Sequence, residues 1–566
     1  MTETPSTMRE PFLVSTRSWL LLLAAVVGAW LALTCLAIPG LLALAYYGGD
    51  SLPWLGRLLE GRATHSFGHY LGAWTWLIPH GLSVITLSWL VPFVMSRPSF
   101  FRRCVGAATP GTLGAIRMWV CAILFAMVVN ERLAHLAWFP EEFRRPMGLM
   151  GVFYALPIGM DRLVASEAGL QLFQYATELA LLLGMAGLGT RIVMPLATLC
   201  VLVFFGLLRQ YSFFWHQGLI TTYLMAVLSF TPCGDGWSLD RLLRIARGRP
   251  VPPANQATVR YGWARYACWI AIALPYMAAG MSKFGNVGWF WWAPDNMRRF
   301  LYTDTLNPVQ FDWQVSLQLV HAPDLFFALV GLSGVLGEAL YGLVLVWPLA
   351  RKVLPAAMLS MHVGIAFLQN ILFPDLIFIQ AVFYNWTPLR LAIERWLAAR
   401  RGSVQPSTPT MTVPVADTRA PAWRHIVPAS ALFWAFFFCW FYRVECYPFT
   451  AMQMYTEKWR FASPAILYYK TEARRADGQA SRRYFRQAMG TMAHNARYRP
   501  MFGRCFGTPE QVARCSGFFR SAATGYNRHA PPEARISQIE IQQWQCPMSN
   551  PADGQLINRM IIDVPT

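Results

Sequence analysis

The chain is poor in charge, and poorer still in lysine. Only 14% of its 566 residues are charged, where a soluble globular domain carries about a quarter. That shortage excludes an ordinary water-soluble fold. Lys and Arg together number 48, yet the lysines are only Lys283, Lys352, Lys458 and Lys470. A chain that uses arginine for generic positive charge makes each lysine informative. Acidic residues are few as well, 29 in all, which leaves a formal charge of +19. The 10 histidines and 11 cysteines never fall at metal-ligand spacing, so no metal site is expected. No solenoid-type repeat is present. The absence of an inverted hydropathy repeat or of matched broken helices ranks a transporter last.

What is abundant is apolar. Hydrophobic residues make up 55% and aromatics 14%, and the mean hydropathy is +0.34. The expected fold class is an all-α polytopic membrane protein with a small C-terminal α+β extramembrane domain. About ten transmembrane helices are expected at roughly 20 residues each: 18–46, 69–96, 113–130, 167–188, 192–209, 213–232, 264–282, 324–349, 354–371 and 425–443. The first apolar run, Ser18 to Tyr47, is too long for a signal-peptide core and lacks a small-residue cleavage site. It reads as a first spanning helix after a short cytoplasmic N-terminus. Phe373–Trp386 is apolar but short, either the second half of a hairpin or a re-entrant piece.

Loop charges give an orientation. Arg97, Arg102 and Arg103, then Arg241, Arg244, Arg247, Arg249 and Arg260, then Arg351 and Lys352, then the arginines between 390 and 424 fall in loops of one side. Basic loops face the cytoplasm. The excess positive charge is thereby explained without nucleic acid, and the bilayer is the expected partner. The outer loop 131–166 carries Arg132, Arg144 and Arg145 but balances them with Glu131, Glu141 and Glu142.

Residues 1–445 form the expected transmembrane domain, with a Pro/Ser/Thr-rich cytoplasmic linker over 402–420. Residues 446–566 fall outside, on the periplasmic side if the membrane is a bacterial inner membrane. In that tail, Ala465–Ala473 and Ile536–Gln543 alternate like strands, while Ser481–Ala493 and Glu510–Ala523 read as amphipathic helices. Cys446, Cys505, Cys515 and Cys546 are compatible with two disulfides in any pairing.

Ionisable residues at membrane depth are functional candidates, because burying charge in hydrocarbon is expensive. Lys283 ends the apolar run Trp269–Lys283, at the expected outer membrane edge. An amine can lose its proton when desolvated, whereas a guanidinium stays charged. Lys283 is therefore a candidate base, or else a snorkelling anchor with its ammonium among the headgroups. His216 follows Trp215 at the start of a span and is either a catalyst or an interfacial hydrogen-bonder. Glu338 lies in a glycine-rich helix and could instead be a packing group satisfied by a neighbouring Ser or Tyr; His362 follows Met361 and has the same two readings as His216. Trp237-Ser238-Leu239-Asp240 is most simply a helix cap on the opposite side.

The ordered combination of His216, Trp237-Ser238-Leu239-Asp240 and Tyr276-Met-Ala-Ala-Gly280-Met-Ser-Lys283 resembles a known family. It is similar to the horizontally transferred transmembrane domain shared with vitamin K-dependent γ-glutamyl carboxylases, over roughly residues 15–445. Glu338 and Met361-His362 extend the likeness. The resemblance implies an enzyme in which a reduced naphthoquinone reacts with oxygen to give a strong base. That base removes a γ-proton from glutamate, and the carbanion takes up carbon dioxide. It implies that Lys283 initiates the chemistry and His216 supports it. Glu338, His362, Tyr276 and Trp215 would then line the substrate or cofactor site. A protein or peptide partner on the outer side is part of the same expectation. The carboxylases hold propeptide and substrate in a large lumenal region; the tail here spans only about 120 residues. The competing reading is a non-catalytic membrane scaffold or export-maturation partner.

Overall fold

The computed structural model describes residues 16–51, 59, 66–75, 78, 81–82, 85, 90–211, 216–253, 256–308, 310–384, 396, 423–454, 465–490 and 501–565. It is mostly helical. Among the described residues, seven helices are long and apolar enough to cross a membrane. They are α1 (Leu23–Tyr47), α2 (Pro110–Val129), α4 (Thr190–Arg209), α7 (Val259–Val287), α9 (Asp324–Ala339, continued to Leu345), α10 (Ala350–Gln369) and α12 (Trp423–Phe441). Between them lie α3 (Glu167–Ala186), α5 (Leu219–Ser229), α6 (Leu239–Ala246), α8 (Pro294–Leu306) and α11 (Pro374–Phe378).

Among the described residues, two of the ten expected segments fall short of a span for physical reasons. Segment 167–188 forms a full helix, α3, but Glu167, Gln171, Gln174 and Glu178 make it polar. Segment 213–232 yields only the 11-residue α5. Segment 69–96 is described only in pieces, with 76–77, 79–80, 83–84 and 86–89 outside the described residues, and the linker 402–420 lies wholly outside them.

α7 is the central helix, buried along most of its length against α5, α9 and α12. Large apolar side chains such as Leu172, Leu179, Ile192, Leu196, Leu325 and Leu329 remain exposed on the outer helix faces. A water-facing surface avoids such contiguous apolar area, whereas a hydrocarbon-facing one requires it. The short piece Pro374–Phe383 returns the chain toward the start of α10, since the Tyr384 hydroxyl donates to the Lys352 carbonyl at 3.1 Å.

After α12 comes a small hairpin, β1 (Glu445–Cys446) paired with β2 (Phe449–Thr450). The tail then builds an antiparallel sheet of order β4-β3-β5-β6, from β3 (Ala465–Arg475), β4 (Ala480–Ser481), β5 (Ile536–Pro547) and β6 (Gln555–Asp563). Helices α13 (Arg482–Met489) and α14 (Pro509–His529) cover one face. Both expected strands and both expected helices are present, α13 stopping before the undescribed 491–500. The tail docks on the membrane domain: Phe518 stacks on Phe139 at 5.2 Å, and Tyr469 N donates to Asn307 Oδ1 at 3.0 Å. One disulfide forms, Cys505–Cys515; Cys446 and Cys546 remain thiols. Cys446 sits in the hairpin at the end of α12 and Cys546 in the sheet, so the two belong to different parts of the tail.

Candidate functional site

The site is assembled on one stripe of α7. Tyr276, Gly280 and Lys283 are spaced by four and three residues, which stacks them on one helix face. Gly280 decides what can approach that face. A Cβ there would lie 2.3 Å from Ala339 N and 2.8 Å from Glu338 C, so only glycine lets the α9 backbone come so near. The close approach delivers Glu338. Its Oε2 accepts from Lys283 Nζ at 2.5 Å, and both side chains are buried. The ammonium also faces the Trp291 ring at 5.4 Å.

Beside this pair runs a buried polar chain. The Tyr276 hydroxyl and His362 Nε2 lie 2.8 Å apart, Gln380 Nε2 donates to Tyr276 at 3.0 Å, and Tyr341 donates to Gln380 Oε1. His362 Nδ1 is sealed from solvent and has no hydrogen-bond partner among the described residues. The charge of Lys283 reaches His362 as well as His216. His216 also lies within range of the Arg209 charge.

Hairpin β1–β2 and the residues after it form a strap over the Lys283 end of the bundle. His216 Nε2 lies 3.0 Å from Thr450 Oγ1, and Thr450 donates to Glu445 at 2.7 Å. The next residue, Ala451, accepts from the Ser282 hydroxyl at 3.3 Å. Two consecutive strap residues thus touch His216 and the neighbour of Lys283. The strap is anchored by Tyr223 to the Pro448 carbonyl at 2.5 Å, Tyr447 to Leu202 O at 2.6 Å, and Leu149 N to Tyr447 O at 2.7 Å. Burial pushes the Glu445 carboxyl above its usual range, partly offset by the Thr450 hydrogen bond. Burial likewise raises the Tyr447 phenol to about 12.

Lys283, Glu338, His216, His362 and Tyr276 therefore converge at one end of the bundle. Trp215 lies outside the described residues. Trp237, Ser238 and Asp240 sit at the other end. Ser238 Oγ caps α6 through Arg241 N at 3.0 Å, and Asp240 accepts from Gly189 N, Thr190 N and Thr190 Oγ1 at 2.7–2.8 Å. Arg117 Nη2 donates to Trp237 O at 2.5 Å. This is a structural clasp between α2, α4 and α6. Burial would raise the Asp240 carboxyl, but the bonds from Thr190 and Gly189 outweigh it and hold the pKa below the usual range.

Sequence reasoning missed Thr450, Glu445, Gln380 and Tyr341. Thr450 and Tyr341 carry no charge to mark them. It also passed over Asp375, fully buried, whose Oδ2 accepts from Gly218 N at 2.7 Å just after His216. The rule that singled out Lys283 applied equally to that acid within an apolar run. No group of three or more potential metal ligands occurs among the described residues. The chain matches no family model, no curated protein and no solved structure.

Proposed function

We propose that this chain is a membrane enzyme of the vitamin K-dependent γ-glutamyl carboxylase type, with Lys283 and Glu338 as its proton-handling pair. The observation that carries the reading is that buried pair, next to an unpartnered His362 nitrogen and roofed by a strap that also holds His216. Standing as an ammonium against a carboxylate, Lys283 has no lone pair to offer. In a dry site the same proton can reside on Glu338, which leaves a neutral amine beside a neutral acid. The amine can then take a proton from a bound hydroxyl while Glu338 keeps the first. His362 Nδ1, buried without a partner among the described residues, is the atom that fits a quinol hydroxyl, and Tyr276 and Phe373 flank the imidazole with aromatic surface. When bound, a reduced naphthoquinone would supply, with oxygen, the strong base that the family reaction needs. The strap keeps water from the pair.

The reading places the strap and tail on the periplasmic face of an inner membrane crossed about ten times, with the N-terminus in the cytoplasm. It is tested with Lys283→Ala and Lys283→Arg in membranes given reduced naphthoquinone, oxygen and labelled bicarbonate. Both changes are expected to abolish label fixation, since arginine keeps the charge but cannot release a proton. Fixation that survives both ends the reading.

A non-catalytic scaffold has one observation in its favour. β6 is an edge strand that leaves Leu556, Ile557 and Ile561 exposed, a surface on which another protein's strand can add.

A further inference from the structure

At the end of the bundle away from Lys283, two arginines occupy a place that suits no lone cation. Arg265 lies on α7, 18 residues before Lys283 by sequence number, or about 27 Å along a helix. Arg351 opens α10. Their guanidinium groups face the Trp269 ring at 4.6 and 4.5 Å. Among the described residues, neither meets a carboxylate. Arg265 Nη2 donates to Val105 O at 2.6 Å; Arg351 donates to Val344 O, Cys104 O and Leu345 O at 2.5–3.2 Å. Neutral carbonyls at helix ends supply partial negative charge, less than one full charge per end. Arg265 Nε is sealed from solvent and donates to nothing among the described residues. Two like charges over one indole ring, answered among the described residues only by that ring and by carbonyl dipoles, call for an anion.

The space for one is present. Both arginines line a groove of about 650 Å³, within the range of ligand sites. From the arginines it runs along one face of α2, past Gly111, Ala115 and Trp119. Those positions recur at four-residue spacing. At Gly111 the Trp237 indole closes in, 3.1 Å from where a Cβ would lie, while the small Ala115 leaves the groove open; Ala115 and Trp119 are exposed. One end is therefore cationic and the rest mostly apolar, over about 12 Å of helix. We propose that this groove binds an anionic lipid, its phosphate or carboxylate head between Arg265 and Arg351 and its acyl chain along Gly111, Ala115 and Trp119. The shape excludes a small inorganic anion as the full occupant, because most of the lining offers it nothing. The site is separate from the Lys283 pair and does not depend on what that pair does.

The test uses the full chain in nanodiscs of phosphatidylcholine alone or mixed with phosphatidylglycerol. After transfer to neutral detergent, retained lipid is counted by native mass spectrometry. Inorganic phosphate without lipid serves as a separate arm. Phosphatidylglycerol is expected to stay bound and phosphatidylcholine to be lost. Arg265→Gln removes half the charge. Ala115→Phe fills the groove at an exposed position and leaves both arginines in place, so it tests the acyl chain even if Arg265→Gln folds poorly. Each is expected to weaken phosphatidylglycerol retention about tenfold or more. Equal retention of the two lipids overturns the proposal. So does retention unchanged in Ala115→Phe, or thermal stabilisation by inorganic phosphate equal to that by phosphatidylglycerol, which would mean a simple anion site.

Discussion

Lys283 and Glu338 set the residue-scale problem, which is what a buried ion pair does for a fold. Taking two charges out of water costs several kcal/mol each, and their attraction repays it only while both partners remain. Lys283→Met leaves a bare carboxylate, and Glu338→Leu a bare ammonium. Each single change is expected to cost about 3–5 kcal/mol, whereas the double change lies close to wild type because an apolar pair of similar volume packs in its place. Thermal unfolding of the three variants in one detergent decides this; a double mutant as unstable as the sum of the singles would show the pair to be independent residues. Bicarbonate fixation, by contrast, is expected to vanish in all three. Stability regained without activity would separate the chemical role of the pair from its structural one.

At the scale of elements, the contact of α7 with α9 is what makes the site. It hangs on Gly280, where any side chain meets the Ala339 backbone. Gly280→Ala is expected to destabilise by about 1–3 kcal/mol through overpacking and to push Glu338 away from Lys283. Gly285, five residues on in the same helix, has nothing within 4 Å of an added Cβ. Gly285→Ala should be neutral or slightly stabilising, as a helix glycine replaced by a better helix former. Melting temperatures of the two variants check both statements; equal effects would remove the close approach as the cause. The apolar runs made most spans legible in advance, because length and hydropathy alone define them. The strands β3 and β5 were legible from alternation. β6 was not, since most of its side chains are exposed whichever face they take and show no two-residue pattern. α8 was hidden by its polar composition between two spans. Lys283, Glu338 and His362 could be named from the sequence, because ionisable groups in apolar runs stand out, and Tyr276 came with the family resemblance. The strap partners of His216 and Ser282 could not, since Thr450 and Ala451 reach the site only through the turn after α12.

For the whole molecule, the question is how the tail is held to the membrane domain. Its seam is built on Trp138, which stacks on His135 at 4.0 Å and on His529 of α14 at 5.9 Å. Ser521 donates to Trp138 O at 2.8 Å, and Gly490 approaches so near that an added Cβ would meet His135 Nδ1. Glu167 faces the same seam from α3 and pairs with His529 at 2.8 Å and Arg528 at 3.4 Å, while Glu131 and Arg132 come from the loop of His135 itself. Burial, then the Arg132 charge, pushes the His135 pKa down from 6.5 to about 4. A group whose pKa is lower folded than unfolded opposes folding when it is protonated. His135 thus costs nothing above about pH 6.5, and its penalty grows as pH falls from there toward 4. Hydrogen exchange of α14 and β5 is expected to quicken between pH 7 and pH 5, after correction for the intrinsic rate, while the core of α7 stays protected. His135→Phe keeps a ring on Trp138 and removes the titration, so its exchange in α14 should be flat over that range. An acid response that persists in His135→Phe would show that His135 is not its cause. A flat response in the wild type would mean that the seam opens too little for His135 to gain its proton.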